Sequence, residues 1–122
     1  MASKKLVMIA DDEPDILETA KQLLQVFGYP SVTVDDAKKI VETVRKNKPA
    51  LLLQDVVMPN LDVPKLVQEL RSSPETKALP VILFSAYVNI KEVCKKSGAD
   101  GYIMKPFDLP ELKALLAKYA GP

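Results

Sequence analysis

Residues 51–62 read LLLQDVVMPNLD, and the change of character inside this stretch decides the fold. Three leucines form a short apolar run, which is typical of a strand buried on both faces. Asp55 follows two positions after the last leucine, and an isolated carboxylate is costly to bury without a partner. We therefore expect a buried strand near Asp55, whose carboxylate either emerges at the strand end or meets a cation.

Similar apolar runs recur along the chain, and segments with helical spacing separate them. The predicted strands are residues 6–10, 31–34, 50–53, 81–84 and 102–104. The run at 31–34 alternates polar and apolar residues, which favours an edge strand, whereas 6–10, 50–53 and 81–84 are nearly continuous. A fivefold alternation of strand and helix predicts βαβ units, so we expect an α/β fold with a parallel sheet covered on both faces.

Helix boundaries can also be predicted from single residues. Pro14 stands near the start of the first helical segment and Gly28 at its end, where these residue types are favoured. Asp62 is the predicted N-cap of the third helix. Asp108 and Glu111 form a capping-box pattern at the start of the fifth helix.

The composition limits the possible functions. The chain has 122 residues, 48% apolar and 27% charged, with a net charge of +1, which predicts one domain over residues 1–122 and no direct binding of nucleic acid. The absence of histidine excludes a histidine base, metal ligand or phospho-histidine within this chain. The one cysteine, Cys94, excludes an intrachain disulfide and is expected to be a small buried hydrophobe.

No part of the sequence suggests a membrane. The N-terminal apolar run at 6–10 is too short for a signal peptide, and no run approaches the roughly 20 apolar residues of a membrane span. We therefore expect a soluble, cytoplasmic protein without a membrane partner.

Functional side chains stand at the ends of four predicted strands. They are Asp11, Asp12, Asp55, Ser85 and Lys105. Because the carboxyl ends of parallel strands meet at one edge, where ligands bind, these residues are expected to share a site. Three carboxylates and one ammonium leave a charge that a divalent cation would balance, and oxygen ligands favour Mg²⁺ or Mn²⁺ over zinc. Such a site suits a phosphoryl group.

Each residue also has a purely structural interpretation. Asp11 and Asp12 could simply cap the first helix. Lys105 alone could be a solvated loop lysine, and Ser85 alone says almost nothing. The combination is more specific than its members because each falls at the end of its own predicted strand.

Four segments together resemble the receiver domain of two-component response regulators. They are the acidic pair Asp11-Asp12, DVVMP at 55–59, Ser85-Ala86 and GADGYIMKPF at 98–107. The resemblance implies a flavodoxin-like fold with five parallel strands in the order 2-1-3-4-5 and five flanking helices. It also implies that Asp55 is the phosphoacceptor, supplied by the phospho-histidine of a sensor histidine kinase or histidine phosphotransfer protein.

The resemblance further implies a Mg²⁺ site. Asp12, Asp55 and the backbone carbonyl of Val57 would be direct ligands, and Asp11 would contribute through water.

The remaining roles implied by the resemblance concern the phosphoryl group and the signal. Lys105 would contact the phosphoryl oxygens, with a cis peptide before Pro106. Ser85 would move to the phosphate, and Tyr102 would be the aromatic switch that reports to the surface of helix four, strand five and helix five. The protein would be a phosphoacceptor switch, not an enzyme acting on other substrates, and its output would be a downstream protein or an effector domain outside this chain.

Three features depart from the family pattern. Gln54 is polar where a core residue is expected, so it needs a hydrogen-bond partner if it is buried. Val63 stands where the family usually has glycine, which predicts a different turn after Asp62. The segment from Ser85 to Gly98 is shorter than usual, so the fourth helix is expected to differ in length.

Three other functions are alternatives to a phosphoacceptor. A pseudo-receiver would keep the fold and bind partners without phosphorylation. A flavin carrier would want a phosphate-binding loop after the first strand, where DDEPD would instead repel phosphate. A metal-dependent phosphatase would need a general acid-base, but the nearest additional carboxylate in sequence, Glu13, has no clear position to serve as one.

Two residues lie two positions beyond strand-end groups, where they could control the water that hydrolyses an acyl phosphate. They are Val57, after Asp55, and Tyr87, after Ser85. Neither positions a water well, so we expect them to shield the site, unless both side chains turn outward into solvent.

Overall fold

The computed structural model describes residues 4–86 and 89–122. Its strands are β1 (Val7–Ala10), β2 (Ser31–Val34), β3 (Leu51–Asp55), β4 (Val81–Ser85) and β5 (Gly101–Met104). Its α-helices are α1 (Pro14–Phe27), α2 (Ile40–Asn47), α3 (Val63–Arg71), α4 (Ile90–Ser97) and α5 (Leu109–Ala120).

The strands form one parallel sheet in the order β2-β1-β3-β4-β5. The fold class, the strand order and the position of β2 at an edge are therefore confirmed. Two predicted strands were too short at their carboxyl ends, because β3 continues to Asp55 and β4 to Ser85. Asp55 pairs with Phe84 and Ser85 with Met104, so both functional side chains are held by the last rungs of the ladder.

The helices cover the two faces of the sheet with separate apolar clusters. One cluster packs α1 and α5 against alternate residues of the strands, and the other packs α2, α3 and α4 against the opposite face. All four residues of β1 are fully buried, as expected for an inner strand whose faces are both covered. Cys94 lies in the second cluster and is buried, as predicted.

The helix ends agree only partly with the sequence signals. Pro14 begins α1, and Gly28 ends it in the left-handed conformation at φ 89°, which glycine adopts readily. Asp62 caps α3, since its carboxylate accepts the backbone N–H of Lys65 at 3.1 Å. The predicted capping box of α5 is wrong, because Asp108 occupies the N-cap position without a side-chain capping bond.

The departures in the sequence are accommodated locally. Val63 is buried and is the first residue of α3, so its side chain packs into the core at the start of that helix. The fourth helix, α4, has 8 residues.

The amino-terminal edge of the sheet holds the two ends of the described chain together. The backbone N–H of Lys5 donates to the carbonyl of Ala120 at 2.8 Å, which ties the entry to β1 to the end of α5. Among residues 4–86 and 89–122, no helix has the length and apolarity needed to span a bilayer.

Candidate functional site

Asp11 leaves β1 at the carboxyl edge of the sheet and is fully buried. Its Oδ1 accepts the backbone N–H of Glu13 at 2.8 Å, and its Oδ2 accepts Nζ of Lys105 at 3.0 Å. The first bond shapes the turn into α1 and the second compensates the buried charge. Asp11 thus shapes the turn before α1, but it does not cap the helix, whose N-cap is Glu13 without a side-chain capping bond.

Three carboxylates converge beside this turn. Asp11, Asp12 and Asp55 each offer an oxygen, and these oxygens lie within 4.8 Å of one another. Asp11 and Asp55 are buried, whereas Asp12 is accessible to solvent. Carboxylate oxygens at this separation, with one open side, fit a hard divalent cation that keeps several waters.

Lys105 brings a positively charged side chain to the carboxylates. Besides its contact with Asp11, its Nζ lies 3.5 Å from Oδ1 of Asp55, and its backbone N–H donates to the carbonyl of Ser85 at 3.1 Å. Burial acts to lower the pKa of Lys105, but the bond to Asp11 and the charges of both carboxylates outweigh it and raise that pKa. The ammonium is therefore fully charged at neutral pH, and its peptide bond to Pro106 is cis, as expected.

The electrostatics of Asp55 reflect a crowded negative site. Burial raises the pKa of Asp55 from its ordinary value of 3.8 to about 6, and the charge of Asp11 adds to the rise. Lys105 and the backbone N–H of Val57 act in the opposite direction. At pH 7 a group with this pKa is roughly nine-tenths ionised, so Asp55 remains a carboxylate although the site carries excess negative charge.

Two aromatic residues complete the site, and the strand-end reasoning missed both. Nζ of Lys105 lies 5.0 Å from the ring centre of Phe84, and the ring of Phe107 lies 5.3 Å from that of Phe84. A cation over an aromatic face is attracted by the ring quadrupole. The sequence offers only their positions next to site residues. Phe84 directly precedes Ser85, and Phe107 directly follows Pro106.

Ser85 and Tyr102 lie on adjacent strands but not side by side. Ser85 is buried at the last rung of β4 beside Met104, whereas Tyr102 pairs with Leu83 and is 38% exposed on the edge strand. Tyr102 lies inside β5, because the strand begins at Gly101, one residue before the predicted start, and extends two residues beyond Tyr102.

Val57 lies in the loop after β3, and its side chain is 62% exposed. This exposure gives no support to the prediction that Val57 shields Asp55 from water. The companion prediction concerns Tyr87, which lies outside the described residues.

Known proteins resemble this chain over nearly its whole length. A family model for the response regulator receiver domain matches residues 7–117. "Probable transcriptional regulator ycf27" of Pyropia yezoensis is 34% identical over 91% of this chain and 45% of its own length. The sensor histidine kinase RcsC of Salmonella typhi is 31% identical over 94% of this chain but 12% of its own length.

A solved structure agrees with these sequences. The receiver domain of Francisella response regulator 1452 superposes with a TM-score of 0.81 at 29% identity, over 94% of this chain and 95% of that one. The chain spans about half the length, or less, of the two curated relatives named above. The match to the family model, together with the strand order and the carboxylates at the sheet edge, shows that this chain belongs to the response regulator receiver domain family.

Proposed function

We propose that the chain is a phospho-accepting switch of two-component signalling in which Asp55 takes the phosphoryl group. The observation that carries this proposal is the position of Asp55 at the last rung of β3, beside two further carboxylates and within 3.5 Å of the ammonium of Lys105. Phosphoryl transfer requires positioning and charge neutralisation more than covalent help from the protein. The strand end positions Asp55, and Lys105 supplies part of the neutralising charge.

In the proposed reaction an oxygen of Asp55 attacks the phosphorus of a phospho-histidine on a partner. The P–N bond breaks, an acyl phosphate forms on Asp55, and the leaving imidazole takes up a proton. Lys105 neutralises charge on the phosphoryl oxygens, and its present contact with Asp55 puts it within reach of them. Hydrolysis of the acyl phosphate would return Asp55 to its original state, so chemistry is confined to the protein's own phosphorylation and dephosphorylation.

We propose Mg²⁺ as the cation of the site, with Mn²⁺ as an alternative. Asp12, Asp55 and the backbone carbonyl of Val57 would hold it directly, and Asp11 would hold it through water. The cation would supply charge neutralisation for the incoming phosphoryl group. The raised pKa of Asp55 supports the need for it, because burial and the neighbouring Asp11 leave the carboxylates short of positive charge.

Ser85 and Tyr102 form the proposed route to the output surface of α4, β5 and α5. Ser85 pairs with Met104 at the last position of the β4–β5 ladder. A movement of Ser85 towards a phosphate would therefore displace β5, the strand that carries Tyr102. Tyr102 and Met104 are both partly exposed on that edge strand. A paired displacement of two neighbouring groups is a common form of switch.

The proposed partners are a sensor histidine kinase or a histidine phosphotransfer protein upstream, and a protein or effector domain downstream. The similarity to a segment of a sensor histidine kinase supports the upstream assignment. One domain over residues 1–122, a cytoplasmic location and the absence of direct contact with nucleic acid remain predictions from the sequence.

Intact-mass spectrometry after treatment with acetyl phosphate and Mg²⁺ tests the proposal. We expect the wild type to gain the mass of one phosphoryl group and Asp55→Asn to gain none. Asp62→Asn, which changes an exposed carboxylate outside the cluster, is the matched control and should be labelled like the wild type. A wild type that gains no mass would instead favour the pseudo-receiver, and equal labelling of Asp55→Asn would refute the assignment of Asp55.

A further inference from the structure

Gln54 is a fully buried polar residue directly before the acceptor, on the opposite face of β3. Its position faces the cluster of α2, α3 and α4, where the neighbouring strand residues are apolar: Ala10 on β1 and Leu83 on β4. An apolar side chain would satisfy this environment completely. Packing therefore does not explain why this position carries a polar side chain.

The amide of Gln54 contacts both ends of the Asp55–Met58 segment, through the backbone of Asp55 and the side chain of Met58. Its Nε2 donates to the carbonyl of Asp55 at 3.0 Å and lies 3.3 Å from Sδ of Met58. Between these two anchors lies Val57, whose backbone N–H bonds the carboxylate of Asp55. One buried side chain thus fixes the span of loop that presents a donor to the acceptor.

The other half of the same amide is unsatisfied. No described residue donates a hydrogen bond to Oε1 of Gln54, and a buried acceptor without a donor costs stability. The opposite amide orientation would not help, since it would direct Oε1 against the carbonyl of Asp55. The unsatisfied Oε1 of Gln54 therefore lowers stability, whereas its Nε2 holds the loop.

We infer that Gln54 is a positioning residue that holds the Asp55–Met58 segment in the geometry needed to bind the cation and accept the phosphoryl group. This inference rests on the proposed function and assigns to a buried residue a role in the same site. It predicts that stability and function respond to substitution in opposite directions. A residue that only fills the core would change both in the same direction.

The decisive variant is Gln54→Met, which keeps an unbranched chain of similar size and removes both polar atoms. We expect its thermal midpoint to equal or exceed that of the wild type, because the unsatisfied acceptor is gone. We expect its dissociation constant for Mg²⁺, measured by calorimetry, to rise about three- to tenfold, which corresponds to the loss of one hydrogen bond. Labelling by acetyl phosphate should slow in parallel.

Two further variants make the experiment specific. Leu52→Met changes a buried residue on the same strand and face, whose side chain makes no hydrogen bond to the Asp55–Met58 segment, so it should bind Mg²⁺ like the wild type. Met58→Leu removes only the sulfur acceptor and should weaken Mg²⁺ binding less than Gln54→Met. The double variant should be no weaker than Gln54→Met alone, because both changes break the same tether.

The outcomes separate this inference from the proposed function. A wild type that neither binds Mg²⁺ nor takes up a phosphoryl group would refute the proposed function itself. A functional wild type with Gln54→Met equal to it in Mg²⁺ affinity and labelling rate would overturn the positioning role. Equal weakening by Leu52→Met and Gln54→Met would also overturn it, since the effect would then be a general disturbance of β3.

Discussion

Asp55 is ionised at neutral pH although its buried, negatively charged surroundings disfavour its charge, and this lowers the free energy of unfolding. Its folded-state pKa of about 6 lies above the ordinary value of 3.8, so the folded protein binds more protons than the unfolded chain between these values. Stability therefore falls as the pH rises from about 4 to about 6, and the loss stays constant at higher pH.

Asp55→Asn is expected to stabilise the protein in the absence of divalent ions. The gain should be near zero at about pH 4 and reach roughly 1–2 kcal/mol at pH 7, less than the full pKa shift implies because Lys105 loses a partner. Urea unfolding followed by circular dichroism in EDTA measures this difference. A gain that does not depend on pH would contradict the explanation.

Individual residues differ in how well the sequence predicted them. Asp11, Asp55 and Lys105 meet as expected because the ends of parallel strands share an edge. The contact of Lys105 with the ring of Phe84 was not predictable in the same way, since Phe84 has the same pattern as any core residue of a buried strand. Gln54 was recognised as anomalous, but its partners depend on the path of a loop that local pattern does not specify.

At the scale of elements, two aspartates that each precede an apolar residue and a proline at a helix start differ in geometry. Asp62 accepts the backbone N–H of Lys65, whereas Asp108 makes no side-chain capping bond at the start of α5. The sequence signal predicts that both residues cap. It fails at Asp108 because capping depends on a side-chain rotamer that residue type alone does not determine.

These two helix starts form a matched pair for mutation. Asp62→Ala should lower the free energy of unfolding by about 1 kcal/mol, the usual value of a capping bond. Asp108→Ala should cost less than about 0.5 kcal/mol, because only its weak attraction to the helix N-terminus is lost. Chemical denaturation measures both, and Asp62→Asn, which can still accept the bond, should be close to wild type. Equal losses for Asp62→Ala and Asp108→Ala would show that the capping bond is not the cause.

At the scale of the whole molecule, metal binding should be coupled to folding. The carboxylate cluster forms only when β1 and β3 are paired, so a cation bound there stabilises the folded state. At a concentration 100 times its dissociation constant, Mg²⁺ should add about 2.7 kcal/mol to the free energy of unfolding. Urea unfolding with Mg²⁺ and with EDTA provides the comparison.

Asp12→Asn should remove this gain. Asp12 is accessible and makes no ion pair with the residues described, so stability in EDTA should stay within about 0.5 kcal/mol of the wild type. Asp15→Asn, an exposed carboxylate in the first turn of α1, is the control and should retain the gain. A full Mg²⁺ effect in Asp12→Asn would exclude Asp12 as a ligand.

The whole fold was more predictable than its parts, for a physical reason. The alternation of apolar strands and amphipathic helices repeats five times, and every repeat leads to the same conclusion of a covered parallel sheet. The strand order came from the family resemblance, because periodicity contains no information on which strands are neighbours. The exact strand ends at Asp55 and Ser85 depend on pairing with β4 and β5, which single strands do not reveal.

The backbone bond between Lys5 and Ala120 has a consequence for how the domain can be joined to other polypeptides. Both residues lie where the strands begin, and the four residues of β1 separate them from the carboxylates by about 13 Å. A reporter joined next to Lys5 or Ala120 would therefore leave the carboxylates accessible. A linker of a few residues from Ala120 to Lys5 should also permit circular permutation, with new ends at the exposed residues Pro74 and Glu75 between α3 and β4.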